Sequence, residues 1–249
     1  MSRGGDRQEL SATLPLTRAG PLSWRAGAGW LVLVGSGSWR DDPTGEVDAA
    51  ALGWADLDRP TAVLPTAGQS MAEAEALLET YADLGGPHGY VVPIVDASGA
   101  HRLENCRLLR EAGLVYISDG PDGLALMRAL QDSPALSALT QAFQDGAVIV
   151  GAGVGAAVLG AWMEDPQAAP EGQPRAVPAW GWLPHVIVEP HFEGAAVSHG
   201  LRRLLDLHPD CLGLGIPDKV ALGLGPTGEV ESVGPGQVTV VVSGVELEG

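Results

Sequence analysis

Lysine is almost missing from this 249-residue chain: its 14 basic residues are 13 arginines and Lys219, set against 31 Asp and Glu for a formal net charge of −17. So acidic a chain is excluded from nucleic-acid binding, because phosphate contacts need a basic face. The charge favours solubility and leaves the fold open. Arginine in place of lysine, alongside abundant Ala, Gly and Pro, fits a GC-rich genome better than a functional choice. Cysteine is equally scarce. Cys106 and Cys211 form no Cys-x-x-Cys pair, which excludes a disulfide scaffold and leaves two buried thiols. No apolar run reaches the about 18 residues of a membrane helix. No leader pattern opens the chain, since Arg3 and Arg7 alternate with Asp6 and Glu9 and no long apolar stretch follows, so a cytoplasmic protein without membrane contacts is expected. What is present is 45% hydrophobic residues with 35 Gly and 19 Pro, a loop-rich globular composition with enough apolar material for a sizeable core.

Short, fully apolar runs bounded by glycine recur along the chain. Trp30–Val34 (WLVLV), Thr61–Pro65 (TAVLP), Tyr90–Val95 (YVVPIV), Leu114–Ile117, Val148–Val150, His185–Glu189 (HVIVE) and Cys211–Ile216 read as strands buried on both faces. Helical spacing lies between them. Ser70-Met71-Ala72-Glu73 is a capping signature, with Leu77, Leu78, Tyr81 and Leu84 continuing it and Gly85-Gly86 ending it. Residues 102–112, 124–130 and 201–207 also read as helices, residues 165–184 as a low-complexity loop, and residues 229–245 as a closing β-hairpin whose second arm is 238–242. The first 29 residues read as an irregular extension, and residues 30–249 as a single α/β domain. Alternating strands and helices predict a mainly parallel central sheet with helices on both faces, a flavodoxin-like core. Sites in such sheets form beyond the C-terminal strand ends. The small-residue loops 35–38, 66–68, 118–120 and 151–155 all fall there.

The stretch VIVGAGVGAAVLGAW, residues 148–162, has the shape of a strand-turn-helix that presents a nucleophile, yet reads Gly151-Ala152-Gly153-Val154-Gly155. With VLPTAG, LVLVGSGS, VIVEPHF (186–192), LRRLLDLHPDCLGLGIPDKVALGL (201–224) and EVESVGPGQVTVV (229–241), it resembles the family of cyanophycinase and peptidase E, serine peptidases on a class I glutamine amidotransferase-like fold. The resemblance runs from Trp30 to the C-terminus and implies a dimer and His191 as the triad base.

It also implies departures. Gly153 holds the nucleophile's position, and glycine cannot attack a carbonyl. The family's Gly-Gly-Asp/Asn-Gln turn appears as Asp119-Gly120-Pro121-Asp122, and the Arg-x-Arg that grips a substrate carboxylate falls near Ser198 and Gly200, with Arg203 retained. "GIDE" has become Gly215-Ile216-Pro217-Asp218; for the acidic triad partner Glu164, Asp165 and Glu171 are the alternatives.

Each of these residues also has a plain reading. His191 is a relic base or a packed histidine. His185, Glu189 and His191 alternate like metal ligands, but solvated polar groups are commoner, so no metal and no cofactor are expected. Asp119 and Asp122 are an acid–base pair or simple turn residues. Ser36, Ser38 and Ser118 are substitute nucleophiles or turn formers. Gly-x-Gly-x-Gly at 151–155 is a weak dinucleotide match. The expected site therefore comprises Gly35, Ser36, Thr66, Ser118, Asp119, Gly120, Asp122, Val154, Glu189 and Arg203 around Gly153 and His191. The expected function is a chain inactive as a serine peptidase that binds a small ligand, peptide or partner, the alternative being a hydrolase of (iso)aspartyl peptides or related amides with a changed nucleophile.

Overall fold

Four-residue runs of Val, Leu and Ile cannot leave either face in water, and the chain buries both. In a computed structural model of the protein, residues 15–36, 45–165, 175–194 and 199–243 are described. Strands β1 (Leu16–Ala19) and β2 (Leu22–Arg25) form an antiparallel hairpin. Strands β3 (Leu31–Val34), β4 (Thr61–Leu64), β5 (Gly89–Val91), β6 (Leu114–Ile117) and β7 (Val148–Ala152) pair in parallel in the order β3-β7-β6-β4-β5. Strands β12 (Ala221–Leu224) and β13 (Val230–Val233) extend the β3 side antiparallel, completing seven strands.

Period-two alternation divides the core between the two faces of this sheet. Leu31, Leu33, Leu64, Val115, Ile117 and Ile149 join one apolar cluster, and Val32, Val34, Val63, Tyr116, Val148 and Val150 the other. Helices α1 (Glu46–Gly53) and α2 (Met71–Asp83) cover the second cluster through Val47, Leu52, Leu77 and Tyr81. Helices α4 (Leu103–Glu111), α5 (Gly123–Leu130) and α6 (Pro134–Gln144) cover the first through Leu109, Leu126, Leu130, Leu139 and Phe143; a one-turn helix α3 (Ala97–Ala100) precedes α4. The expected mainly parallel sheet with helices on both faces is therefore the fold.

The structure corrects some local readings. The two arms of the closing hairpin do not pair with each other. β13 pairs with β12, whereas β14 (Thr239–Val242) joins β10 (Val186–Glu189) and β11 (Leu212–Gly215) in a separate three-stranded sheet. Alternation gives a strand its faces but not its partner, and Gly-Pro punctuation marks a turn without saying where the chain goes next. Within the stretch read as irregular extension, the β1–β2 hairpin places Trp24 in the core, fully buried, and the Arg25 N–H donates to the Trp182 carbonyl at 2.7 Å. Part of the low-complexity loop is likewise ordered, with β8 (Trp162–Asp165) pairing antiparallel with β9 (Arg175–Pro178). Among the described residues no helix is long and apolar enough to cross a membrane.

Candidate functional site

The loops after β3, β4, β6 and β7 meet at one end of the sheet, with Ser36, Thr66, Ser118, Asp119 and Gly153 each just past its strand. Gly153 forms the turn between β7 and the short helix α7 (Val154–Ala157), at φ 53 and ψ −120. A side chain enters that backbone region only under strain. The expected elbow architecture is thus present, and the peptide after Gly153 aims its N–H at the site.

What fills the elbow is Asp119. A Cβ built on Gly153 would overlap the carboxylate carbon and both oxygens of Asp119. Oδ1 accepts hydrogen bonds from the N–H of Val154 at 3.0 Å and of Gly120 at 2.8 Å. Oδ2 accepts the Ser36 hydroxyl at 2.5 Å and lies 3.2 Å from Nε2 of His191. In acyl transfer, the N–H of the residue after the nucleophile helps to receive the developing oxyanion. Here Asp119 occupies both the space a side chain at position 153 would need and the Val154 N–H. Gly120 approaches Ala67 so closely that a Cβ would collide with its carbonyl, so this backbone N–H is available only to glycine at that position.

His191 follows β10 in a left-handed conformation, φ 54, and its N–H reaches the Gly35 carbonyl at 3.3 Å. Its Nδ1 lies 3.0 Å from Oδ1 of Asp218. Asp218 is therefore the acidic partner of His191. Glu164 instead pairs with Arg203 at 3.2 Å and Asp165 with Arg128 at 3.5 Å, while Glu171 lies outside the described residues. Both contacts of the imidazole are hydrogen bonds only when each ring nitrogen carries a hydrogen.

Sequence names Asp218 only as part of the altered turn at 215–218 and not as a partner of His191, because it does not reveal that β10 and β11 are neighbours. Their parallel register sets Glu189 opposite Gly215, so the residues just beyond, His191 and Asp218, emerge together. The other expected site residues separate. The Thr66 hydroxyl donates to the Ile94 carbonyl at 2.6 Å, and the Asp122 carboxylate accepts the Ala125 N–H at 2.8 Å as the cap of α5. Ser118 is fully buried and donates to Gln69 Oε1, a contact from a different loop. His185 faces Asp210 at 3.6 Å, and Ser38 and Ser198 lie outside the described residues.

Val154 and Glu189 mark a second space. A cleft of about 400 Å³ opens beside the elbow between α7, β8, β10 and helix α8 (His199–Leu207). Trp162, Met163, Ile187, Leu201 and Leu204 line it, with Glu164 and Glu189. Val154 belongs to both places, since its N–H holds Asp119 and its side chain faces the cleft. Arg203 reaches the cleft only through its ion pair with Glu164.

Known proteins share this framework. The chain is similar to a cyanophycinase of Synechococcus elongatus, 28% identical over 191 residues, covering 74% of this chain and 59% of that protein. It is also similar to a cyanophycinase of Geminocystis herdmanii, 25% identical over 190 residues, covering 74% of this chain and 70% of that one. The chain thus spans 59% of the length of the first of these relatives. Its fold matches the crystal structure of a peptidase from an acI-B1 actinobacterium with a TM-score of 0.70 at 22% identity, covering 88% of this chain and 96% of the other. Residues 31–227 match Peptidase family S51, and the chain belongs to that family, the serine peptidases of the cyanophycinase and peptidase E kind.

Proposed function

We propose that this family member does not work as a serine peptidase and acts by binding a small ligand or peptide in the cleft beside its elbow. One observation carries the reading: the place of the nucleophile's side chain is filled by the Asp119 carboxylate, which also holds the Val154 N–H. A substrate carbonyl entering there would have to displace a carboxylate that accepts three hydrogen bonds, from Ser36, Gly120 and Val154. Losing a nucleophile alone lowers such rates by many orders of magnitude. The purified chain is expected to resist fluorophosphonate labelling and to leave cyanophycin and β-aspartyl dipeptides intact. A stoichiometric adduct on Ser36 or Ser118 would overturn the reading.

The position of Asp119 also favours a second reading, a hydrolase with a carboxylate nucleophile. Oδ2 would attack an amide carbonyl, the amine would leave with a proton from His191, and water would hydrolyse the resulting anhydride to free acid and Asp119. Amide turnover that vanishes in Asp119→Asn and survives in Ser36→Ala supports this reading. No turnover in the parent chain eliminates it.

A further inference from the structure

We infer that a groove along α6 binds a short, extended, hydrophilic peptide by its two free ends, the carboxylate on Arg25 and the ammonium on Asp132. The groove has a volume of about 320 Å³. It shares no lining residue with the cleft beside the elbow, so the inference does not depend on what the elbow does. One wall is a stripe of α6, Ser137, Thr140, Gln141 and Gln144, which helical spacing sets on a single face. Leu136 is the apolar exception among the described lining residues, so small polar side chains fit best.

Arg25 ends β2, and apolar packing rather than an anion seats it. Its guanidinium carbon lies 5.3 Å from the ring centre of Trp182, which is buried and packs 5.2 Å from Phe143 near the C-terminal end of α6. Nε is buried without a hydrogen bond, and no described carboxylate pairs with the group. Burial alone pushes its pKa below the ordinary arginine value. An arginine nevertheless keeps its charge, and its terminal N–H groups fit a carboxylate side by side. Asp132 stands toward the other end, exposed in the turn before α6, and its one described side-chain contact is with Gln131 at 3.4 Å. Two opposite charges thus line one small groove without pairing with each other, which suits a ligand carrying both signs. The eleven residues of α6 rise about 16 Å, and an extended tripeptide spans about 10 Å with a hydrogen bond to add at either end. Between the charges, Thr140 and Gln144 have no side-chain hydrogen bond among the described residues. Their side chains are free to meet the backbone N–H and C=O groups of a peptide, which need partners when they leave water.

The test titrates the full-length chain calorimetrically with the tripeptide Ser-Gly-Ser, its N-acetyl form and its C-terminal amide, which share a body and differ in their end charges. The free peptide is expected to bind most tightly. The amide should bind at least about tenfold more weakly, because a carboxylate on a half-buried guanidinium makes charge-assisted hydrogen bonds. The acetylated form should bind about two- to fivefold more weakly, since Asp132 is exposed and its ion pair is screened. Arg25→Gln should erase the difference between the free peptide and the amide and leave the effect of acetylation. Asp132→Asn should do the reverse. The three peptides on the parent chain need no variant, so they decide the matter even if Arg25→Gln does not fold. The inference is overturned if either blocked peptide binds as tightly as the free one, if none of the three binds, or if a folded Arg25→Gln still discriminates against the amide.

Discussion

Asp119 is the residue on which the elbow's chemistry turns, because one carboxylate fills the volume a serine would need and uses the donors that serine's substrate would need. Gly153→Ser alone is therefore expected to give a destabilised, unlabelled protein. Its Cβ would overlap Asp119, and its backbone would sit in a region costing about 1–3 kcal/mol for a side chain. The double variant Gly153→Ser with Asp119→Ala removes the overlap and frees the N–H groups of Val154 and Gly120. We predict stoichiometric fluorophosphonate labelling of residue 153 in the double variant, detected by intact mass, and a decrease of about 10²–10⁴-fold when His191→Ala is added. Cleavage of β-aspartyl dipeptides should still fail, because Gly200 offers no carboxylate grip. Labelling of the single variant would show that Asp119 moves aside without help.

Helix ends explain other polar residues that crowd the strand-end loops. Ser70 and Glu73 form a reciprocal cap on α2, with the Glu73 N–H donating to Ser70 Oγ at 3.2 Å and the Ser70 N–H to Glu73 Oε2 at 2.9 Å. Asp122 caps α5 in one direction only, its carboxylate accepting the Ala125 N–H. If Asp122 is a cap and not a ligand contact, Asp122→Ala should lose about 1 kcal/mol in urea unfolding and Asp122→Asn should lose little, since Asn caps as well as Asp. Cap residues and site residues look alike at the level of sequence, because both are short polar side chains just after a strand.

Over the whole molecule, core burial reaches back into the N-terminal β1–β2 hairpin. Trp24 is fully buried beside the helical layer that includes Phe143, so Trp24→Ala is expected to lower stability by about 3–5 kcal/mol, read from the urea midpoint. A loss below about 1 kcal/mol would mean that the β1–β2 hairpin adds nothing to the core. Alkaline pH tests the two sheet faces. Burial and the neighbouring Asp48 push the Tyr81 hydroxyl well above its usual range, and burial pushes Tyr90 up to about 12. Both groups are neutral in the folded state and ionise more readily when unfolded, where a tyrosine titrates near 10. Their contribution is therefore complete below about pH 10 and is lost as pH rises toward the folded values. Urea midpoints are expected to fall from about pH 10 upward, with a shallower fall in Tyr81→Phe, which keeps the packing and has no proton to lose.

Local pattern was enough for the parallel strands of the central sheet, for α2 and for the shape of the elbow, because a continuous apolar run or a capping signature acts over a few residues of its own chain. It was also enough to exclude Gly153 as a nucleophile. Helix α6 is absent from the sequence reading although Ser133 and Pro134 form a start signal, the Leu136 N–H donating to Ser133 Oγ at 3.1 Å, whereas α1 has Gly45 before it and no side-chain cap, and was not legible. Partnership was not local. That β14 pairs with β11, and not with β13, follows from which apolar edges meet once the sheet has formed. The site followed the same rule. Sequence placed His191 and Asp119 near the elbow, but the parallel register of β10 and β11 brought Asp218 to Nδ1, and the approach of the loop after β6 to the turn after β7 set the Asp119 carboxylate into the nucleophile's space. Sequence alone determined that position 153 carries no side chain; tertiary structure decided what fills the space beside it, because that depends on which strand ends emerge side by side.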